Sequence, residues 1–418
     1  MMSSFFPPAC FALSLTLTGI GHAVLWTALL NHLYGRPWPK SFLRLWRYIT
    51  AIIIAAYPAV IGYHFWNESG MFLHFWNMLL DPDGSGWIEW CLELGREYLW
   101  RAIAVVYAAF CLILGGIVFP WVIWKRLVRR PPPCLREQRS QHYDFWKQHA
   151  QTLVGDGYMR WAARLPGNEI FRLEITELIL SLPHLPPALH DLHLLVLSDF
   201  HFHGTPSRCW FEQVIATLQH GRYPDLVCLL GDYVDRNDHR EWIVPLLSEI
   251  PAHYGKLAIL GNHDVHHDPD QIRAYLRAAG YQVLLPQWQL VTVRDEPLAV
   301  IGHEGPWLLG PVEGNEPPSP SAFRLGLSHT PDNFYWAIQQ QIDLLVCGHV
   351  HGGQIRLPLI GPIFVPSIYS RRFDSGVFQV GRTVMTVCRG LSGREPIRFR
   401  CRPQILRLTL MGENQKDR

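Results

Sequence analysis

The sequence of 418 residues has little charge and no low-complexity segment. Asp, Glu, Lys and Arg make up 17% of the chain and hydrophobic residues 49%, whereas a typical soluble protein carries roughly 25% charged residues. This balance excludes a disordered chain, and the lack of an internal repeat excludes a collagen. The formal net charge of +2 gives no reason to expect a nucleic-acid partner.

Cysteine use lacks any metal-binding or redox motif. The nine cysteines are an odd number and never stand in C-x-x-C spacing. Cys228 and Cys347 lie inside apolar runs that we expect to be buried strands. This pattern indicates packed, reduced thiols in a cytoplasmic domain rather than a disulfide scaffold.

The first 35 residues contain no Asp, Glu, Lys or Arg. Three uncharged runs, Cys10–Leu30, Tyr48–Trp66 and Ala102–Trp124, are long enough to cross a hydrocarbon core of about 30 Å at about 1.5 Å per residue. Met71–Leu80 is shorter, which favours an interfacial segment. The first run has no basic start and no clear cleavage site, so we interpret it as a retained anchor rather than a signal peptide.

Charge predicts the orientation of these spans. The loop after the first run holds Arg36, Lys40, Arg44 and Arg47, the next loop is acidic, and the third run is followed by another basic cluster beginning at Lys125. Basic loops stay on the cytoplasmic side. We therefore expect a multi-pass protein of the inner membrane whose chain after Lys125 is cytoplasmic.

The composition changes along the chain in a way that predicts four segments. Residues 1–130 form a membrane domain with about three transmembrane helices. Residues 131–167 form a linker, because Pro131-Pro132-Pro133 cannot continue a helix. Residues 168–412 form an α/β catalytic domain, and residues 413–418 a tail.

Five apolar runs of the third segment each end at a side chain that can bind a metal ion. They are His193–Ser198 before Asp199, Asp225–Gly231 before Asp232, Lys256–Gly261 before Asn262, Arg324–Ser328 before His329, and Asp343–Gly348 before His349. Their Leu-rich or β-branched composition is typical of strands buried on both faces. Sites in open α/β sheets gather at the carboxyl ends of strands, so we expect one common site.

Seven side chains at these ends are candidate metal ligands, and none is a thiolate. They are Asp199, His201, Asp232, Asn262, His329, His349 and His351. Such a set suits Mn, Fe or Zn, and it lacks the cysteines of a usual structural zinc site. Seven ligands are too many for one ion, so we expect two divalent ions about 3.5–4 Å apart, able to lower the pKa of a water and to bind a phosphoryl oxygen.

The motif order D-x-H, G-D-x-x-D, G-N-H-D, lone His and G-H-x-H resembles the calcineurin-like metallophosphoesterase superfamily. The resemblance covers about residues 190–352 and includes all five motifs. It implies an α/β fold, a four-layer α/β/β/α sandwich, here preceded by an N-terminal transmembrane helical region. It also implies a metal-dependent phosphoric ester hydrolase.

The same resemblance implies roles for individual residues. The first ion would be held by Asp199, His201, Asp232 and His351, and the second by Asp232, Asn262, His329 and His349. His263 would touch the substrate phosphate and protonate the leaving oxygen, with Asp264 orienting it. Arg236 would contact phosphate, as in the Ser/Thr phosphatase form of its motif.

The closing stretch, residues 390–403, together with the membrane segment resembles one bacterial branch of the superfamily. That branch includes membrane-associated phosphodiesterases and a UDP-diacylglucosamine pyrophosphohydrolase. It implies a phosphate-ester substrate linked to lipid, with the bilayer as partner. A tethered phosphomonoesterase or cyclic-nucleotide phosphodiesterase and a non-catalytic metal-binding scaffold remain alternatives, although a scaffold would be expected to have lost ligands. Nothing in the sequence indicates an oligomeric state.

Overall fold

The structure, a computed structural model, describes residues 8–67, 99–219, 221–311, 316–319 and 321–412. The chain divides into two compact units, one of residues 1–33 and 38–129, the other of residues 34–37 and 130–418. The expected interfacial segment Met71–Leu80 and the tail 413–418 lie outside the described residues.

The first unit is helical. Its helices are α1 (Pro8–Tyr34), α2 (Lys40–Asn67), α3 (Leu99–Ile113) and α4 (Phe119–Leu127), the last two joined by the π-helical turn Leu114–Val118. Among the described residues, three stretches are long and apolar enough to cross a membrane: Ala12–Tyr34, Lys40–Val60 and Ile103–Leu127. They overlap the three predicted runs, whose helical length and apolar composition are therefore confirmed.

Hydrogen bonds between side chains connect the three apolar stretches. The Nε2–H of His22 in α1 donates to the Ile53 carbonyl of α2 at 3.1 Å. The other ring nitrogen, Nδ1, then accepts from the Tyr107 hydroxyl of α3 at 2.6 Å, and the Trp26 indole N–H donates to the same hydroxyl oxygen at 3.0 Å. Such polar contacts hold helices together where their remaining surface is apolar.

The second unit contains two mixed sheets with helices on their outer faces. Its helices are α5 (Trp146–Leu153), α6 (Arg208–Ala216), α7 (Ile243–Leu247), α8 (Pro269–Ala278) and α9 (Phe334–Gln339). Its strands are β1 (Leu135–Asp144), β2 (Arg172–Leu182), β3 (Leu192–Leu197), β4 (Leu226–Leu229), β5 (Gly255–Ala258), β6 (Gln282–Val283), β7 (Gln289–Val293), β8 (Glu296–His303), β9 (Phe323–Ser328), β10 (Leu344–Cys347), β11 (Arg356–Leu357), β12 (Gly361–Pro362), β13 (Gly376–Val380), β14 (Thr383–Val387) and β15 (Gln404–Gly412). The first sheet has the order β1-β2-β15-β3-β4-β5-β6 and the second the order β13-β14-β10-β9-β8-β7.

Alternate side chains of the central strands enter different hydrophobic cores. In β3, Leu194 and Val196 face a core shared with β8, β9 and β10 of the second sheet. Leu195 and Leu197 instead join a core with α6, α7 and α8. A third core lies between the outer face of the second sheet and α9. Since strand side chains alternate with period two, these three cores separate four layers, and the predicted α/β/β/α sandwich is confirmed.

The segment that we expected to be a linker contributes a strand to the first sheet. Leu135–Asp144 forms β1 and pairs antiparallel with β2, from Leu135 opposite Leu180 to Asp144 opposite Arg172. The strand is polar and largely exposed on both faces. It therefore lacks the alternating apolar pattern by which sequence periodicity reveals a strand, and edge strands are commonly polar for this reason.

The five predicted strand ends occur where the sandwich can bring them together. β3, β4 and β5 run parallel to one another in the first sheet, and β9 and β10 run parallel in the second. Their carboxyl ends consequently place the loops beginning at Asp199, Asp232, Asn262, His329 and His349 at matching edges of the sheets. Buried free thiols at Cys228 and Cys347 agree with the expected packing of these strands.

Candidate metal centre

The structure brings the seven predicted ligands together in one buried cluster. One ligand atom from each of Asp199, His201, Asp232 and His351 lies within 4.8 Å of all the others, and the same holds for Asp232, His329 and His349. Asp232 belongs to both groups, as a bridging carboxylate must. The remaining ligand, Asn262, places its Oδ1 2.9 Å from His329 Nε2.

Five of the seven ligands have a left-handed backbone. Their φ angles are +57° at Asp199, +48° at His201, +57° at Asp232, +69° at His349 and +50° at His351. Residues with a Cβ rarely adopt this region, at a cost of about 1–3 kcal/mol each. The strain is compatible with stability because the sandwich holds the loops rigidly, and its concentration here is typical of a functional site.

Glycine is required at two of the turns into the cluster. Gly231 has φ +94°, and a Cβ there would overlap the backbone of Gly261. A Cβ on Gly261 would overlap both the Asp232 backbone and its carboxylate. The loops carrying Asp232 and Asn262 therefore approach each other closely only because neither turn has a side chain.

The imidazoles are oriented by hydrogen bonds on the side away from the cluster. His329 donates from Nδ1 to the Leu230 carbonyl at 2.6 Å, and His351 donates from Nδ1 to the Ser392 carbonyl at 3.1 Å. These carbonyls accept only, so each ring carries a proton on Nδ1 and turns its Nε2 toward the cluster. Metal-ligating histidines are commonly fixed in this way.

The donor set of the cluster fits a cation. His329 Nε2 lies 2.9 Å from Asn262 Oδ1, 3.2 Å from His349 Nδ1 and 3.5 Å from Asp232 Oδ2, so four atoms able to bind a metal ion converge here. His201 Nε2, Asp232 Oδ2 and His349 Nε2 are buried without a hydrogen-bond partner among the described residues. Buried acceptors are normally satisfied, and divalent ions between them would satisfy these.

Electrostatics leads to the same conclusion. Burial opposes charge on the His329 ring, but the Asp232 carboxylate outweighs it and raises the pKa to about 9. Burial likewise opposes charge on His201, yet Asp235 raises its pKa to about 9. Burial would raise the pKa of Asp232, whereas the neighbouring His329 and His263 rings hold it well below its usual range. The carboxylates thus demand positive charge, which protons or metal ions can supply.

Asp235 is a residue of the site for which the sequence analysis predicted no role. Its Oδ2 accepts from His201 Nδ1 at 3.0 Å, and its Oδ1 pairs with His263 Nδ1. One carboxylate therefore orients a proposed metal ligand and the proposed proton donor. In the sequence, this residue is the second Asp of the G-D-x-x-D motif. The spacing of the motif does not show which side chains its carboxylate contacts in the fold.

Asp264 does not orient His263, contrary to our expectation from the sequence. Its carboxylate is fully buried and accepts from the backbone N–H groups of Asp232, Tyr233 and Gly261 at 2.8–2.9 Å. Burial and the nearby Asp232 charge raise the pKa of Asp264 to about 7. Asp264 thus holds the two ligand-bearing turns together, and the contact with His263 belongs to Asp235.

Arg236 follows the site residue Asp235 in the chain. Its side chain is 49% exposed, and its guanidinium donates to Asp238 Oδ2 at 2.9 Å. These contacts do not test whether Arg236 binds phosphate, so the predicted phosphate contact stays a prediction.

Arg398, in the closing stretch of the domain, was also missed as a site residue. It is fully buried, and its guanidinium donates to the Ser392 carbonyl, the same oxygen that orients His351. The closing stretch therefore fixes one proposed ligand from behind. No sequence spacing links residue 398 to residue 351, so only the folded chain reveals the contact.

We expect Asp235→Asn to lower both kcat and metal affinity by about 10- to 100-fold, the usual effect of losing the partner of a ligating histidine. The Asn side chain has one uncharged oxygen in place of two carboxylate oxygens, so it cannot accept hydrogen bonds from both imidazoles. His201 and His263 therefore lose their fixed orientation. Titration of the metal-free protein with Mn²⁺, followed by steady-state kinetics, measures both quantities. Asp295→Asn, an exposed residue in the β7–β8 turn, is the matched control, and equal behaviour of the two variants would contradict the assigned role.

Comparison with known proteins agrees with this site. The sequence model for calcineurin-like phosphoesterases matches residues 192–353. Phosphodiesterase YaeI of Escherichia coli is 30% identical over 225 residues, which are 52% of this chain and 82% of YaeI. UDP-2,3-diacylglucosamine pyrophosphatase LpxG of Chlamydia trachomatis is 27% identical over 304 residues, covering 59% of this chain and 90% of LpxG.

A third relative matches this chain over nearly the whole length of the relative. The uncharacterized metallophosphoesterase YkuE of Bacillus subtilis is 31% identical over 268 residues, which are 62% of this chain and 91% of YkuE. Residues 192–353, which the family model matches, contain all the strand ends that carry the ligand cluster. The chain therefore belongs to the calcineurin-like phosphoesterases and is a metal-dependent phosphoester hydrolase.

Proposed function

We propose that this protein is a membrane-anchored phosphodiesterase or pyrophosphatase that acts on a lipid-linked substrate at the cytoplasmic face of the inner membrane. The observation that carries the hydrolytic part is the convergence of ligand atoms on Asp232, where His201 Nε2, Asp232 Oδ2 and His349 Nε2 are buried without a hydrogen-bond partner among the described residues. The membrane part is supported by the three apolar helices of the first unit.

Two divalent ions fit the cluster, and Mn, Fe and Zn suit its oxygen and imidazole donors. Asp199, His201, Asp232 and His351 would hold one ion, and Asp232, Asn262, His329 and His349 the other. When bound, such a pair lowers the pKa of a water and polarises a phosphoryl oxygen.

His263 is the proposed proton donor to the leaving oxygen. Its side chain is 17% exposed at the cluster while Asp235 beneath it is 8% exposed, so the imidazole is the member of the pair that substrate can reach. Asp235 binds Nδ1, which directs Nε2 toward the substrate. Asp264 supports this arrangement indirectly, by holding the turn at Gly261.

Trp307 supplies an apolar wall beside these polar groups. Its ring centroid lies 4.6 Å from that of His349 and 6.0 Å from that of His329. A half-buried indole at this place can contact the organic substituent of a phosphodiester. This contact favours a substrate larger than a phosphate monoester, and Arg236, one residue after Asp235, is the proposed contact for a phosphate oxygen.

The membrane anchor is argued from where the apolar side chains lie. Only 11–22% of the residues in the three candidate spans are buried within the structure, so a protein core does not use their apolar surface and lipid can. Arg36 precedes α2, and Lys40, Arg44 and Arg47 lie in its first two turns rather than in the expected loop; this basic end still favours a cytoplasmic catalytic unit. Because LpxG is named for UDP-2,3-diacylglucosamine, that nucleotide-linked lipid is the first substrate to examine.

Three substrates presented to the full chain in detergent micelles with Mn²⁺ test the proposal. We expect hydrolysis of UDP-2,3-diacylglucosamine and of bis-p-nitrophenyl phosphate, and at least tenfold slower hydrolysis of p-nitrophenyl phosphate. His263→Ala is the control for contaminating activity. Turnover of the soluble diester without turnover of the lipid would refute the lipid substrate, and a preference for the monoester would favour a tethered phosphomonoesterase.

A further inference from the structure

A small hairpin after His351 presents apolar side chains to its surroundings. β11 and β12 form a two-stranded antiparallel sheet apart from the two main sheets. Within residues 355–363, here named the apolar hairpin, Ile355 is 41% exposed, Leu357 40%, Leu359 72% and Ile363 43%. Single exposed apolar residues are ordinary, but four within nine residues indicate an interaction surface.

The turn of the hairpin favours this interpretation. Leu359, the most exposed of the four, has φ +62°, a left-handed conformation in which Gly or Asn is far less strained. A polar residue at this turn would be both more soluble and less strained. Transfer of the leucine side chain into an apolar environment would offset both costs, so this residue favours such an environment around the turn.

The charged residues near the hairpin indicate that the apolar environment is a membrane surface. No Asp, Glu, Lys, Arg or His occurs from Leu357 to Ser370, and Arg371 and Arg372 follow directly. The Arg371 guanidinium donates to the Pro362 carbonyl at 3.3 Å, which holds one of the basic residues against the hairpin. Apolar side chains beside basic ones are typical of elements that lie in the headgroup region of an anionic bilayer.

Chain connectivity ties the residues after the hairpin to the end of the first candidate span. Residues 34–37 belong to the same compact unit as the hairpin. The Tyr34 ring packs edge-on against Phe364 with centroids 5.1 Å apart, and a Cβ on Gly35 would overlap the backbone at Ser367 and Ile368. Tyr34 is the last residue of the span Ala12–Tyr34, so residues 34–37 connect that span covalently to the unit that contains the hairpin.

We propose that the apolar hairpin inserts into the headgroup region of the bilayer that anchors the chain, an inference that rests on the membrane anchoring proposed above. Ile355 lies four residues after the proposed ligand His351. Insertion therefore holds the metal centre at the membrane surface, where the phosphoester of a lipid-linked substrate lies. Soluble substrates gain nothing from it.

Photo-cross-linking of the full chain in vesicles tests the insertion directly. A benzophenone amino acid replaces Leu359 in one protein and Leu290, a 48% exposed leucine on β7, in the control. The vesicles contain phosphatidylcholine with or without one third phosphatidylglycerol. We expect at least ten times more lipid adduct at position 359 than at position 290, and more adduct with the anionic lipid.

The other outcomes separate this inference from the anchoring on which it rests. Equal adducts at both positions, or cross-links from position 359 to a second copy of the chain, would overturn the insertion if the chain still resists alkaline carbonate extraction. Release of the chain by carbonate would overturn the anchoring and the insertion together, while leaving diester hydrolysis in solution intact.

Replacement of a leucine by aspartate, at position 359 and at the control position 290, tests whether the hairpin contributes to turnover of a membrane substrate. We expect Leu359→Asp to lower turnover of a vesicle-borne lipid substrate by about tenfold or more, because burying one leucine changes an equilibrium by at least that factor. Its turnover of bis-p-nitrophenyl phosphate stays within about twofold of the unsubstituted protein, as do both activities of Leu290→Asp. Equal loss on the soluble and the lipid substrate would contradict a membrane role for the hairpin.

Discussion

Replacement of Asp232 by Asn will lower kcat/KM by about 10³-fold or more and reduce the bound metal from two ions to at most one per chain. Asp232 belongs to both groups of converging ligand atoms, so its charge serves both ions. An ion pair of this kind supplies several kcal/mol of transition-state stabilisation, and each 1.36 kcal/mol is tenfold in rate. The amide preserves volume and can still accept from the His263 N–H, which now donates to Asp232 Oδ1 at 2.8 Å.

A second buried aspartate, just before the opposite end of β4, serves as the matched control. Asp225 precedes β4 at its opposite end, where it accepts from the His193 N–H and from Arg294. We expect Asp225→Asn to lower the melting temperature but to retain two metal ions and near-normal kcat in the folded fraction. Metal content by elemental mass spectrometry separates the two variants. Full metal occupancy in Asp232→Asn would refute the bridging role.

Replacement of His263 by Gln will lower kcat without removing metal, and the loss will depend on the leaving group. For an alkyl phosphodiester, whose leaving oxygen needs a proton, we expect a loss of about 10²- to 10⁴-fold, the usual contribution of a positioned general acid. For a nitrophenyl ester, whose leaving oxygen is stable as an anion, the loss should be about tenfold or less. The difference arises because only the first reaction needs the proton that Asp235 helps His263 to hold.

Kinetics with the two diesters and metal analysis of the same preparation check this expectation. The control is His253→Gln, which changes an exposed histidine before β5 and should leave both rates unchanged. An equal loss on both esters would mean that His263 acts in binding rather than as a proton donor. Loss of metal from His263→Gln would instead make it part of the ligand set.

The recurrent ending of apolar runs at potential ligands predicted which side chains lie together in the fold, because its cause is local. A strand buried on both faces is a continuous apolar run, and the first polar residue after it marks the sheet edge. Asp199 after β3 and His349 after β10 are examples, and the structure places their loops in contact, with the His349 N–H donating to the Asp199 carboxylate at 3.2 Å. These two residues are 150 positions apart in the chain.

Local patterns failed where an element or a role depends on its partner. β1 has no apolar face, and it is a strand only because β2 offers unpaired N–H and carbonyl groups along its whole length. Asp264 follows His263 directly in sequence, yet the backbone geometry turns its carboxylate away to the Asp232 turn. The residue that reaches His263 is Asp235, 28 positions earlier.

The sequence by itself determined the kinds of part this protein has: apolar helices, an α/β domain, and seven candidate ligand side chains without a thiolate. These follow from hydrophobic periodicity and from side-chain chemistry, which a linear pattern contains, whereas the sandwich was implied by the order of the motifs and their resemblance to a known superfamily. Only the tertiary structure decided which carboxylate orients His263, that Arg398 fixes the carbonyl behind His351, and that the hairpin after His351 exposes its leucines. The physical reason is that hydrogen bonding and exposure depend on distances in space, and distant segments of a chain acquire these only when it folds.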